Sequence, residues 1–353
     1  MDAKEFLKSA SMAHGVSGFE FANVASIARQ AMSGLVDEIR TDALGNIIGL
    51  KRGEGPEPRP KTMLAGHMDE IGLIVTRIEE GGFLRFGQMG GVDPRVLPAH
   101  EVIVYGKKPL TGVIGVKPPH LTSAEEASKA HKMEDLFIDV GMPEEEVRKN
   151  VRVGDVITFK RQVSDLMQDV IAGKSFDDRA GVAVILVCLD ELRKYKVNAD
   201  VYAVATTQEE VGLRGALVSA YGIAPDIGIA IDVCHAETPG VPEWRTSSLG
   251  KGPELTQGGN IHPKVYAGLE KAAAELGIPV QPDVAPAATG TDAWAIQVTR
   301  SGVATGLVSI PLRYMHTSVE ALSMGDVEKA GRIIARFIAS VDAPFVKELK
   351  IWI

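Results

Sequence analysis

Apolar residues recur at helical spacing over residues 3–13 and again over 20–32, with Gly15-Val16-Ser17-Gly18 as the break between the two predicted helices. Residues 37–51 alternate instead, as two short strands around Ala43-Leu44-Gly45-Asn46. A Gly-, Pro- and charge-rich loop over 52–60 follows, and then an apolar strand from Lys61 that runs into His67. Beyond Asp69 the texture changes. Short β-segments are predicted over 71–78, 82–86, 101–105, 110–116, 136–140 and 155–159, separated by glycines and prolines. From Ile171 onward strands at 201–205, 227–231 and 303–310 alternate with helices at 179–194, 213–221, 263–276, 293–300 and 324–340. That alternation predicts βαβ units and a mixed, largely parallel sheet flanked by helices. The simplest architecture is one α/β domain, residues 1–69 and 164–353, interrupted by an inserted β-rich domain, residues 70–163. The polar stretch 118–132 reads as an exposed, mobile loop.

A chain of 353 residues suits about two domains, and 45% hydrophobic with 24% charged residues is ordinary globular composition. A net charge of −8 argues against a nucleic-acid partner. No apolar run approaches the ~20 residues of a membrane span, and no basic segment followed by an apolar one opens the chain, so a cytoplasmic protein is expected. The two cysteines, Cys188 and Cys234, form no Cys-x-x-Cys pair and fit a reducing compartment as free thiols.

The chemistry gathers where hydrophobic elements end. The strand from Lys61 stops at His67-Met68-Asp69-Glu70, and Asp177-Asp178 opens an apolar helix. Glu209-Glu210 follows the strand at 201–205, Asp232 closes the strand at 227–231, and His316 follows the strand at 303–310. Charges at the edge of a core must be paired or coordinated, and α/β sheets bind ligands beyond the carboxyl ends of their strands. His67, Asp177, Glu210, Asp232 and His316 are therefore a candidate two-metal site. His67 and Asp232 would hold one ion, Glu210 and His316 the other, and Asp177 would be shared. Imidazole with carboxylate suits zinc or cobalt better than calcium or magnesium. Glu209 points away from its neighbour in an extended segment and is left to act as general base. Asp69 is placed to hydrogen-bond the second nitrogen of His67. A single His-x-Asp or Glu-Glu pair carries little information; the weight lies in their joint occurrence at successive strand ends.

Gly66-His67-Met68-Asp69-Glu70-Ile71-Gly72, Ser175-Phe176-Asp177-Asp178-Arg179-Ala180-Gly181, Thr207-Gln208-Glu209-Glu210-Val211-Gly212, Ile231-Asp232-Val233 and Tyr314-Met315-His316-Thr317 resemble the TET family of dinuclear aminopeptidases. The resemblance covers essentially the whole chain. It implies two zinc or cobalt ions per subunit on His67, Asp177, Glu210, Asp232 and His316, with Asp177 bridging. It implies Glu209 as general acid/base, Asp69 as the residue orienting His67, and a cis Asp177–Asp178 bond. It also implies peptide substrates, dimerisation through the inserted domain, and a hollow homododecamer in which the loop at 118–132 reaches toward a neighbouring site. His120 and His131 in that loop read as solvated, as do His14, His100 and His262; His235, three residues past Asp232, stands closer to the chemistry. The pocket for the substrate's first side chain is expected in loops at 250–261 and 285–290. Two other readings compete: a cellulase-like glycoside hydrolase, which needs no metal and which an aromatic content of 5% disfavours, and an inactive peptide-binding assembly protein, which an intact Glu209 disfavours.

Overall fold

Four strands lie side by side and parallel at the centre of the larger sheet: Asp200–Thr206, Lys61–His67, Ile227–His235 and Ala304–Arg313. This arrangement comes from a computed structural model, which describes residues 2–123 and 129–349. Residues 124–128 of the predicted loop lie outside that range. Antiparallel strands extend both flanks. Ile47–Lys51 and Glu38–Thr41 continue one edge, and Glu320–Ser323, Val170–Gly173 and Ser164–Asp165 continue the other. A branch of two more, Glu254–Gly258 and Gln281–Ala285, leaves from Ala304–Arg313 and completes the eleven strands.

Alternation along the central strands feeds two cores. Leu64, Val201, Ala203, Ile229 and Ile231 face one side, where helices Ala3–Met12, Val24–Met32, Phe176–Glu191, Pro263–Leu276 and Met324–Ile338 pack. Met63, Ala65, Val204 and Ala230 face the other, against helices Arg214–Ile223 and Asp292–Gln297. Strands buried on both faces read as continuous apolar runs, as these do. Helix Phe176–Glu191 is apolar nearly all round because it is wedged between the sheet and helix Met324–Ile338.

The second sheet closes on itself. Its strands run in the order Gly72–Ile78, Leu84–Met89, Phe137–Asp139, Pro109–Gly115, Glu101–Tyr105 and Val156–Phe159, antiparallel throughout, around Leu73, Leu84, Val102, Ile138 and Ile157. A mixed α/β sheet, parallel at its centre and flanked by helices, beside a separate β-barrel is the fold class the pattern predicts. Helix Glu144–Asn150 beside the barrel is an addition; its EEEVRKN sequence buries only Val147, too little to give a helical period. Among the described residues no helix is long and apolar enough to cross a membrane.

Candidate metal centre

The parallel strands end together, and that brings the predicted residues into one place. Thr206, after which the chain turns to Glu209 and Glu210, is the register partner of His67. Asp232 lies beside Ser309 on the next strand pair. Asp177 enters from the start of helix Phe176–Glu191, whose first turn departs from helical geometry at Asp177 and Asp178. The peptide between those two is cis, as the resemblance implies. His67, Asp177 and Asp232 form one group of potential ligands, and Asp177, Glu210 and His316 a second; within each group the ligand atoms lie within 4.8 Å of one another.

Asp177 stands between the groups with one oxygen toward each. Its Oδ1 is 3.1 Å from His67 Nε2 and its Oδ2 is 3.1 Å from His316 Nε2. His316 Nε2 is also 3.3 Å from Glu210 Oε1, and Glu209 Oε2 stands 3.8 Å from His67 Nε2. His67 Nδ1 faces the backbone carbonyl of Asp69 at 3.3 Å, with Asp69 Oδ1 at 3.5 Å. A proton on Nδ1 donated to that carbonyl leaves the Nε2 lone pair free for a cation. The Asp69 carboxylate meanwhile accepts from Ser17 Oγ (2.7 Å) and from the amides of Glu209 (3.1 Å) and Glu210 (3.2 Å).

The electrostatics ask for positive charge. Burial, then the neighbouring acids, pushes the Asp232 carboxyl well above its ordinary range and Glu209 to about 10. Burial pulls His67 down, yet hydrogen bonds to Asp177 and Asp69 override it and hold the imidazole well above its usual value. His316 is drawn up to about 11 by Asp177 and Glu210. Among the described residues no lysine or arginine pairs with Asp177, Glu209, Glu210 or Asp232. Two imidazoles and three carboxylates at ligand spacing, with no fixed cation to balance them, fit a pair of divalent ions.

Several supporting residues carried no signal of their own in the sequence. Glu320 Oε2 accepts from the amides of Phe176 (2.7 Å) and Asp177 (3.2 Å), and its Oε1 accepts from the amide of His316 (3.0 Å). One buried carboxylate thus ties two ligand-bearing turns together. Asp178 accepts from His67 N at 3.1 Å and Gly181 N at 2.8 Å. Glu20 accepts from the amides of Gly18 and Gln208, both at 2.9 Å, and so pins the N-terminal segment to the turn carrying Glu209. Arg179, fully buried, donates to the carbonyls of Ala10, Ala13 and Met68. The available hint was an isolated acid or base in an apolar run, such as Glu320 before Ala321-Leu322.

All five candidate ligands and Glu209 line a cavity of about 660 Å³. Gly91, at the barrel's edge, lines it too; a Cβ there would stand 2.7 Å from His316 Nδ1, so only glycine lets that backbone approach the ring. His235 joins the wall, whereas His120 and His131 are exposed and lie away from it. The segments predicted as pocket loops contribute Glu254, Thr256, Ala285, Thr289 and Gly290. Much of the first is strand Glu254–Gly258, whose polar residues face the cavity and hide the period of a buried strand.

Comparison with known proteins identifies the family. Residues 45–333 match the M42 glutamyl aminopeptidase family. The chain is 37% identical over 328 residues to the lysyl aminopeptidase of Pyrococcus furiosus, covering 92% of this chain and 93% of that one. It superposes on the aminopeptidase APDkam598 of Desulfurococcus kamchatkensis with a TM-score of 0.91 at 40% identity, covering 99% and 97% of the two chains. Against the Pyrococcus horikoshii TET1 peptidase, which can assemble into a tetrahedron or a large octahedral shell, the TM-score is 0.84 at 32% identity, covering 96% and 100%. With the family match spanning most of its length, the chain belongs to the M42 family of aminopeptidases.

Proposed function

We propose that the protein is a dinuclear metallo-aminopeptidase that removes N-terminal residues from short peptides. The observation that carries this reading is Asp177 presenting one oxygen to each of two ligand groups, with His67 and Asp232 on one side and Glu210 and His316 on the other. Two zinc or cobalt ions held there supply Lewis acidity toward a scissile carbonyl and lower the pKa of a nearby water. Glu209 Oε2, set at the cavity wall beside His67, accepts the proton of the attacking water and delivers it to the departing amine. Asp69 keeps Glu209 in place by holding its amide and that of Glu210. A wall without phenylalanine, tyrosine or tryptophan among the described residues gives a sugar ring no stacking platform, which favours the peptidase over the glycoside-hydrolase reading. The intact set of candidate ligands and Glu209 favours it over an inactive binding protein.

Residues 1–69 and 164–353 are assigned to catalysis and 70–163 to dimerisation. Phe83, Val113 and Val153 on the barrel are apolar side chains that a monomer leaves in water. A TET1 structure recorded as a dodecamer, 32% identical to this chain, supports a homododecamer built from such dimers. A cytoplasmic setting accords with two free thiols.

Glu209→Gln tests the chemistry. It is expected to retain two ions per chain by elemental analysis and to lose roughly two or more orders of magnitude in turnover, the scale of general acid–base loss. Near-normal turnover in that variant removes Glu209 from the mechanism.

A further inference from the structure

One wall of the cavity extends well beyond the two ligand groups. It is formed from one face of neighbouring strands, and side chains two apart share a face. Asp232 and Cys234 begin it, Leu307 and Ser309 follow, then Glu254 and Thr256, then Asp283 and Ala285. Register places Ser309 beside Asp232 on one strand and Glu254 on the other, and places Asp283 beside Thr256. With strands about 4.8 Å apart, Glu254 lies about 10 Å from Asp232 and Asp283 one strand further. Ser309 and Thr256, the side chains in register between these acids, are small, so the wall is a trough that starts at the candidate metal centre and ends on two carboxylates.

Among the described residues neither carboxylate has a cationic partner, although Glu254 is hydrogen-bonded to Cys234. Glu254 is only 9% exposed; its Oε2 accepts from Ser247 Oγ at 2.7 Å, which solvates the charge without cancelling it. Burial lifts the Glu254 carboxyl above its usual range and Asp283 adds to the shift, with no lysine or arginine among the groups acting on it. A buried carboxylate without a cation is costly. Arg245 is the single lysine or arginine on the described cavity wall, but it stands exposed at the rim with its guanidinium 4.5 Å from the centre of the Trp244 ring. The rim is cationic and the far end of the trough is anionic.

We propose that Glu254 and Asp283 select peptides whose N-terminal residue is lysine or arginine. This rests on the aminopeptidase reading and specifies its substrate class. With the scissile bond at the candidate metal centre, the first side chain lies along Ser309 and Thr256. A long aliphatic stem packs against that small-residue surface and carries its charge to the two acids. A charge-assisted hydrogen bond away from water is stronger than one in solvent. A leucine leaves both carboxylates uncompensated, and a glutamate adds a third negative charge.

The test is a panel of p-nitroanilides of lysine, arginine, leucine, alanine and glutamate on the metal-loaded protein. Lysine and arginine are expected to exceed leucine about tenfold or more in kcat/KM, with glutamate lowest, as charged hydrogen bonds allow. Glu254→Gln and Asp283→Asn should each lower the lysine-to-leucine ratio by about tenfold through KM for lysine. Asp283→Lys, at a half-exposed position that tolerates the change even if Glu254→Gln does not fold, should turn the preference toward glutamate. Turnover with leucine or glutamate preferred, or ratios unchanged in the variants, overturns the proposal and leaves the peptidase intact. No turnover of any of the five overturns both.

Discussion

The two ligand groups share Asp177 and the same donor chemistry, yet the chain holds them in different ways. His67 and Asp232 lie within parallel strands, each in register with a neighbouring strand (Thr206 beside His67, Ser309 beside Asp232), and they are 2% and 6% exposed. Glu210 and His316 sit on turns beyond strand ends; Gln208, Tyr314 and His316 adopt positive φ there, and the His316 side chain is 34% exposed. Equal ligands on unequal backbones teach that ion retention at such a centre is set as much by what holds the ligand as by the ligand. The buried group should keep its ion, and the turn-borne group should exchange it.

The largest blow to both halves is Asp177→Asn. It removes the shared charge, so metal content should drop below one ion per chain and turnover by roughly ten-thousand-fold, the scale of losing a residue on which a catalytic unit depends. Two ions retained would dissolve the pairing of the groups. His67→Ala and His316→Ala separate the halves. Chemical denaturation of metal-free protein should show a loss of about 3 kcal/mol for the first, where buried carboxylates lose their partner. The loss should be about 1 kcal/mol or less for the second, where water reaches the pair. Equal losses would contradict the contrast. His316→Ala should also leave one ion bound by elemental analysis.

Glu320→Gln addresses the link between the halves. An amide cannot accept on both sides, so one of the turns carrying Asp177 and His316 loses its hold. Metal affinity, read by competition with a chromogenic chelator, should fall about 10- to 100-fold for the more weakly held ion, the usual cost of losing a group that orients a ligand. Gly91→Ala is the gentlest probe. The added methyl displaces the His316 ring, and the same chelator assay should show a severalfold weakening confined to that ion.

Much of this was legible because position and pattern coincide. The barrel strands followed the predicted spans closely, since one face of each is buried and glycines punctuate the turns. His67, Asp177, Glu210, Asp232 and His316 stood out as polar groups where apolar elements end, and the fold brings those ends together. Glu320, Asp178 and Glu20 were not legible in role. Each accepts backbone amides from segments remote in sequence, and an amide donor leaves no mark in the residue that carries it. Strand Gln281–Ala285 escaped for a related reason: its alternation is between cavity and solvent, with no residue in the core.

Arg179 has a practical consequence for anyone handling this protein. Its guanidinium reaches from the helix that presents Asp177 to the carbonyls of Ala10 and Ala13, so the N-terminal helix and the residue after it are braced against that helix rather than trailing from it. A tag-removal protease that nibbles past its cleavage point, or a shortened clone beginning after Ala13, would strip both acceptors and leave the buried guanidinium with only the Met68 carbonyl and Glu70 beside it. Such a preparation should be judged by its metal stoichiometry before its rate is believed.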